Sequence, residues 1–144
     1  MISKKRNFPF LDFKKTFIQL DQKVKDALKS LNHSRSRLCI VVDKNNSFKG
    51  VLNDGDIRRA LLKGKTLETK IKQIYNKRPY ILKENFNKRV VLKKLKLKKI
   101  DQAPIISRNK VIGIFNIDKS IFQNLKIPVV IMSGGLGSRL KPIT

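Results

Sequence analysis

The sequence predicts an α/β fold built from two repeated units, each running strand, helix, strand, strand, helix, packed sheet against sheet. Three observations carry this. Leu38-Cys39-Ile40-Val41-Val42-Asp43 is an apolar, β-branched run, Lys44-Asn45-Asn46-Ser47 is turn chemistry, and Phe48-Lys49-Gly50-Val51-Leu52-Asn53 returns as the second strand of a hairpin. The pattern recurs as Ala103-Pro104-Ile105-Ile106-Ser107, a turn at Arg108-Asn109, and Lys110-Val111-Ile112-Gly113-Ile114-Phe115-Asn116, which aligns Gly50 with Gly113 and Asn53 with Asn116. A helical apolar face stands upstream of each hairpin: Val24, Ala27, Leu28 and Leu31 in the first copy, Val91, Leu92 and Leu95 in the second.

In chain order, a basic arm occupies 1–11 and repeat 1 spans 12–76. It opens with the short extended segment Phe17-Ile18-Gln19-Leu20, then the helix and the hairpin. A second helix follows over 54–62, capped by Asn53 or Asp54 and ending before Gly64. Repeat 2 spans 77–125, with Tyr80-Ile81-Leu82 as its short strand, a helix within 88–99, its hairpin, and a last helix over 118–125. One unit of roughly 60 residues buries too little surface to be robust alone. The two repeats are therefore expected to share a core.

Composition narrows the function classes. At 144 residues and 40% hydrophobic content, the chain can build a core. It has no apolar run near the ~20 residues that span a bilayer, and its first ten residues lack the long apolar segment of a signal peptide. Cys39 is the only cysteine and His33 the only histidine. A structural disulfide and a multi-cysteine metal site are thereby excluded, and a reducing, cytoplasmic setting is expected. The net charge of +24 raises a nucleic-acid partner. Against it, the charge is spread along the chain, lysine outweighs arginine, and no nucleic-acid-binding signature or tryptophan is present. The basic stretch 88–99 aligns with a core-facing helix of repeat 1, so its lysines read as a solvated face and no membrane partner is expected.

The most informative segment of the repeats is Gly50-Val51-Leu52-Asn53-Asp54-Gly55-Asp56-Ile57-Arg58-Arg59. A glycine inside a strand permits close approach of another backbone or a ligand. A polar residue followed by an acid at a strand-to-helix junction sets hydrogen-bonding groups beside helix N-terminal amides, a seat for ribose and phosphate. With the duplicated architecture, this segment resembles the CBS-domain pair, a regulatory module appended to many enzymes and transporters, over about residues 12–125. The resemblance implies adenosine-nucleotide binding, with Asn53 where a Thr or Ser is usual, Asp56 matching the family's Asp, and Arg58 beside them. Copy two departs further: Asn116 replaces the hydroxyl, and Lys119 stands where the Asp belongs, as a phosphate contact. It also implies a homodimer.

At the end of the chain, Ile127-Pro128-Val129-Val130-Ile131-Met132 reads as a buried strand running into Ser133-Gly134-Gly135-Leu136-Gly137-Ser138-Arg139-Leu140-Lys141-Pro142-Ile143-Thr144. Glycines let amides curl around phosphate oxygens, and Arg139 offers a fork of donors. No Gly-Lys-Ser/Thr follows, and the third glycine of the dinucleotide fingerprint is missing. The loop is similar to the opening signature of sugar-phosphate nucleotidyltransferases, with every defining position filled. That resemblance makes 126–144 the start of a truncated Rossmann-like domain. It implies Gly134, Gly135, Gly137 and Ser138 around the nucleotide, Arg139 on the triphosphate, and Lys141 as a further phosphate contact. In the complete enzyme it implies an NTP and a sugar 1-phosphate as substrates, with Mg²⁺. The fragment itself is expected not to catalyse, since it lacks the metal-binding acids and the sugar pocket. The other readings are a free-standing CBS-pair binding module and, third, a basic nucleic-acid-binding protein.

Overall fold

The structure, a computed structural model, describes residues 13–34 and 36–117. Two three-stranded sheets have the same plan. In the first, β1 (Phe17–Gln19) pairs parallel with β2 (Leu38–Val42), which pairs antiparallel with β3 (Phe48–Asn53). In the second, β4 (Leu82–Lys83) pairs parallel with β5 (Gln102–Ser107), which pairs antiparallel with β6 (Lys110–Asn116). Helices α1 (Val24–Ser34) and α3 (Lys88–Leu97) connect the parallel strands, and α2 (Asp54–Leu62) follows β3. The internal repeat extends to the register. Val41 faces Gly50 and Ile105 faces Gly113, and the ladder slips one residue later in both, between Val41 and Val42 and between Ile105 and Ile106.

Alternation along the strands divides the core. Cys39, Val41 and Leu52 point toward Val24 and Ala27 of α1 and Ile57 of α2, closing the core of repeat 1. Ala103, Ile105 and Phe115 point toward Val91 and Leu95 of α3, closing that of repeat 2. The opposite faces meet: Leu38, Ile40, Val42 and Val51 pack with Val111 and Ile114. Every residue of β2 is buried because both of its faces are covered. This is the sheet-on-sheet packing expected from the size of one unit, and Phe48 N–H donating to the Asn109 carbonyl (2.9 Å) adds a backbone bond across it.

The turns follow local chemistry. Arg108 and Asn109 both take positive φ (47° and 61°), which suits a two-residue hairpin. In the longer turn of repeat 1 the Asp43 carboxylate accepts from the Ser47 and Asn45 amides, each at 2.9 Å, and these bonds with Lys49 hold its pKa below the usual carboxylate value. Two expected bounds shift in repeat 2. The short strand is Leu82–Lys83 rather than 80–82, because the parallel register begins with Leu82 opposite Ile105; only Leu82 is buried, while Ile81 faces solvent. Helix α3 ends at Leu97, since Lys99 turns to φ 54° and Ile100 N–H donates back to the Leu95 carbonyl at 3.0 Å.

The segment after α2 is part of repeat 1. Thr69 and Leu67 carbonyls accept from Val24 and Lys25 N–H (3.0 and 3.1 Å), capping the start of α1, and Asn76 exchanges backbone bonds with Val51. Lys23 and Lys25 clasp Glu68, and the two ammonium groups lower its pKa to about 2. A Cβ on Gly50 would run into the Asn76 carbonyl oxygen and the Tyr75 ring. The close approach anticipated at this glycine is therefore made by the chain's own returning backbone.

Candidate functional site

The end of β3 and the start of α2 form a reciprocal capping box. Asp56 N–H donates to Asn53 Oδ1 (2.7 Å) and Asn53 N–H donates to Asp56 Oδ2 (3.1 Å). The outer oxygen of Asp56 receives Arg59, so the acid is tied on both sides. Arg58 pairs with Asp54 at 2.7 Å on the solvent side of the helix, its side chain 74% exposed. The structure thus brings Asn53 and Asp56 together and leaves Arg58 apart from them.

Beside this junction a cleft of about 780 Å³ opens between the two repeats. Repeat 1 supplies Leu28, Leu31 and Asn32 from α1, Ser36 and Arg37 ahead of β2 with Leu38 at its start, and Asn53, Asp54, Gly55 and Arg59 around the N-terminus of α2. Repeat 2 supplies Lys99, Ile100 and Asp101 ahead of β5 and Gln102 at its start. Of these, 36–38 and 99–102 are equivalent in the repeat, each leading into a central strand. A smaller hollow of about 220 Å³ lies on the other flank of α2, lined by Asp56, Arg59, Lys63 and Lys65 among others. Asn53 therefore borders the large cleft, Asp56 the small one, and Arg59 both.

Polar contacts across the cleft join the repeats. Gln102 Oε1 accepts from Ser36 Oγ (3.0 Å) and from the Arg37 amide (3.1 Å), and Arg37 Nη1 donates to Asp101 Oδ2 (2.8 Å). The cleft combines apolar walls (Leu28, Leu31, Ile100) with cations (Arg37, Arg59, Lys99) and amide groups (Asn53, Gln102). Such a lining offers apolar surface to a flat group and donors to an anion. Sequence reasoning missed Arg37, Arg59, Lys99 and Gln102. The local signal for Arg59 was its place three residues after Asp56 on a helix; the others meet only once the repeats dock.

Cys39 is no nucleophile here. It is fully buried in the repeat 1 core, and burial pushes its thiol up to about 11. Among the described residues, no group of three or more His, Cys, Asp or Glu side chains could hold a metal ion, and no helix is long and apolar enough to cross a membrane. Lys119, the helix expected at 118–125, and the loop with Gly134, Gly135, Gly137, Ser138, Arg139 and Lys141 lie outside the described residues.

Comparison with known proteins agrees with this architecture. Residues 13–63 match the family model described as CBS domain. The fold is similar to the CBS domains of a transcriptional regulator from Streptococcus pneumoniae, with a TM-score of 0.63 at 17% identity over 74% of this chain and 86% of that one. It is also similar to a CBS-domain containing protein from Agrobacterium tumefaciens, with a TM-score of 0.66 at 14% identity over 74% and 81%. An uncharacterized protein of Helicobacter pylori (strain J99) is 37% identical over 105 residues, which is 71% of this chain and 32% of that protein. The matched stretch is thus about a third of that relative's length.

Proposed function

With residues 13–63 a CBS domain and the fold that of CBS-domain pairs, we propose that the chain is a regulatory binding module that takes an adenosine nucleotide in the cleft between its repeats. The observation that carries the reading is the cleft itself, about 780 Å³, walled by Leu28, Leu31 and Ile100 and fringed by Arg37, Arg59 and Lys99. Adenine lies against the apolar wall, Asn53 bonds the ribose, and the cations take the phosphates. Asp56 acts on the ligand through Arg59, which it holds. Arg58, turned to solvent, contributes little, and Lys119 remains a phosphate contact proposed from the repeat alignment alone. The module works as a homodimer, in which the exposed Leu62 (83%) and Leu97 (76%) leave water.

Isothermal titration of the 144-residue chain with ATP, ADP, AMP and adenosine tests this. Saturable binding that weakens on Arg59→Gln is the expected result, and sedimentation equilibrium of the same samples reads the dimer. The absence of heat and of any thermal shift with all four compounds rejects it.

Two observations favour a finer, second reading. The run Gly134-Gly135-Leu136-Gly137-Ser138-Arg139-Leu140-Lys141-Pro142-Ile143-Thr144 keeps every position of the nucleotidyltransferase signature. The matched stretch is only 32% of the curated Helicobacter relative, which is therefore long enough to hold a further domain. In that reading the module governs an enzyme joining an NTP to a sugar 1-phosphate, with Arg139 on the triphosphate. Mg²⁺ would neutralise phosphate charge there. Pyrophosphate release by the full-length gene product, offered NTPs and a panel of sugar 1-phosphates, is the measurement; silence across the panel retires the enzyme and leaves the module.

A further inference from the structure

We propose that Asp101 is an internal competitor for the ligand's phosphates: it holds Arg37 across the cleft until a polyphosphate replaces it, so that occupancy is signalled by breaking an ion pair between the repeats. This rests on the nucleotide reading of the cleft. Four observations lead to it. Arg37 and Asp101 come from different repeats, both line the cleft, and they meet at 2.8 Å. Their side chains are 70% and 55% exposed, so the pair is well solvated and readily exchanged. The cleft's other cations are placed differently: Arg59 is already held by Asp56 within one helix, and Lys99 has no ion-pair partner among the described residues. Arg37 is therefore the cation whose release is felt in both repeats. Finally, Gln102 bridges the same two segments through neutral bonds to Ser36 and the Arg37 amide. These bonds do not compete with an anion, so the repeats stay hinged when the ion pair opens.

The chemistry is an exchange of acceptors. A guanidinium binds two phosphate oxygens in parallel, and a polyphosphate carries more negative charge than one carboxylate. Adenosine brings no phosphate and leaves Arg37 with Asp101. The freed carboxylate then swings into solvent, where its charge is screened. The signal accordingly follows the ligand's phosphate number.

The test is a double-mutant cycle on the whole chain, titrated with ATP, adenosine and inorganic tripolyphosphate. Asp101→Asn should tighten ATP and tripolyphosphate by about three- to fivefold, the range of an exposed pair, and leave adenosine unchanged. Arg37→Gln should weaken both phosphate ligands, and in its background Asp101→Asn should give no gain. An equal gain in both backgrounds would mean simple charge repulsion and would overturn the proposal, as would no gain in the wild-type background. If tripolyphosphate binds with the Asp101 dependence while ATP shows no advantage over it, the adenosine reading fails and the competitor stands. If neither phosphate ligand binds, both fall. Unchanged melting temperatures for the two single variants exclude misfolding as the cause.

Discussion

Repeat 1 and repeat 2 place the same strands in the same order with the same register slip, yet they anchor their helices differently. In repeat 1 the start of α2 is closed by a two-way box between Asn53 and Asp56, and the start of α1 is closed by carbonyls of Leu67 and Thr69. In repeat 2, α3 has only Asn87, whose side chain accepts from Arg89 and Val90 N–H, and no acid stands in its first turn. All but one of the ion pairs among the described residues lie within repeat 1; the exception joins Arg37 to Asp101 across the cleft. The family match covers 13–63, the better-anchored copy. Among the described residues the ion pairs are thus concentrated in repeat 1, while the apolar face between the sheets is shared by both copies.

That contrast can be broken most forcefully at Gly50. A methyl there meets the Asn76 carbonyl, so Gly50→Ala must push away the returning segment and its two bonds to Val51. A loss of about 3 kcal/mol in urea unfolding is expected; a loss below ~1 kcal/mol would mean the segment yields easily and repeat 1 is less braced than its contacts imply.

The caps give a middle-sized comparison. Asn53→Ala removes one partner of a reciprocal box and should cost about 1–2 kcal/mol, whereas Asn87→Ala removes a one-way cap and should cost about 0.5–1 kcal/mol. Equal losses in chemical denaturation would erase the asymmetry argued above.

The smallest effect is the acid dependence of the Glu68 clasp. Its carboxyl is lowered from 4.5 to about 2 in the folded state. The contribution is therefore complete above the unfolded value near 4.5 and is lost as pH falls toward 2. Solvent exposure keeps it small. Glu68→Gln should lower the melting temperature slightly near neutral pH, where the clasp is fully formed, and flatten the profile in that window so that it converges on the wild type toward pH 2. A profile identical to the wild type below pH 4.5 would show the clasp to be inert.

Much of the fold could be read from residues whose local chemistry is decisive. The hairpins are written in β-branched runs and turn residues, the repeat in the paired Gly50 and Gly113, and the cap in Asn53. What escaped is made by backbone or by docking. The carbonyls of Leu67 and Thr69 that cap α1 carry no side-chain signature. Arg58 and Arg59 are neighbours in sequence but lie about 100° apart on a helix, so Arg59 borders both hollows and Arg58 neither. Arg37 and Gln102 become partners only when two segments distant in the chain close on each other.

The burial of Cys39 has an experimental use of its own. A thiol with a pKa near 11 and no solvent access stays dark to alkylating reagents until β2 leaves its sheet. The chain thereby contains a single built-in reporter of the opening of repeat 1. Mass spectrometry of the alkylated chain can time that opening with no engineered cysteine, and comparing it with hydrogen exchange in α3 would tell whether the two halves come apart together or in turn.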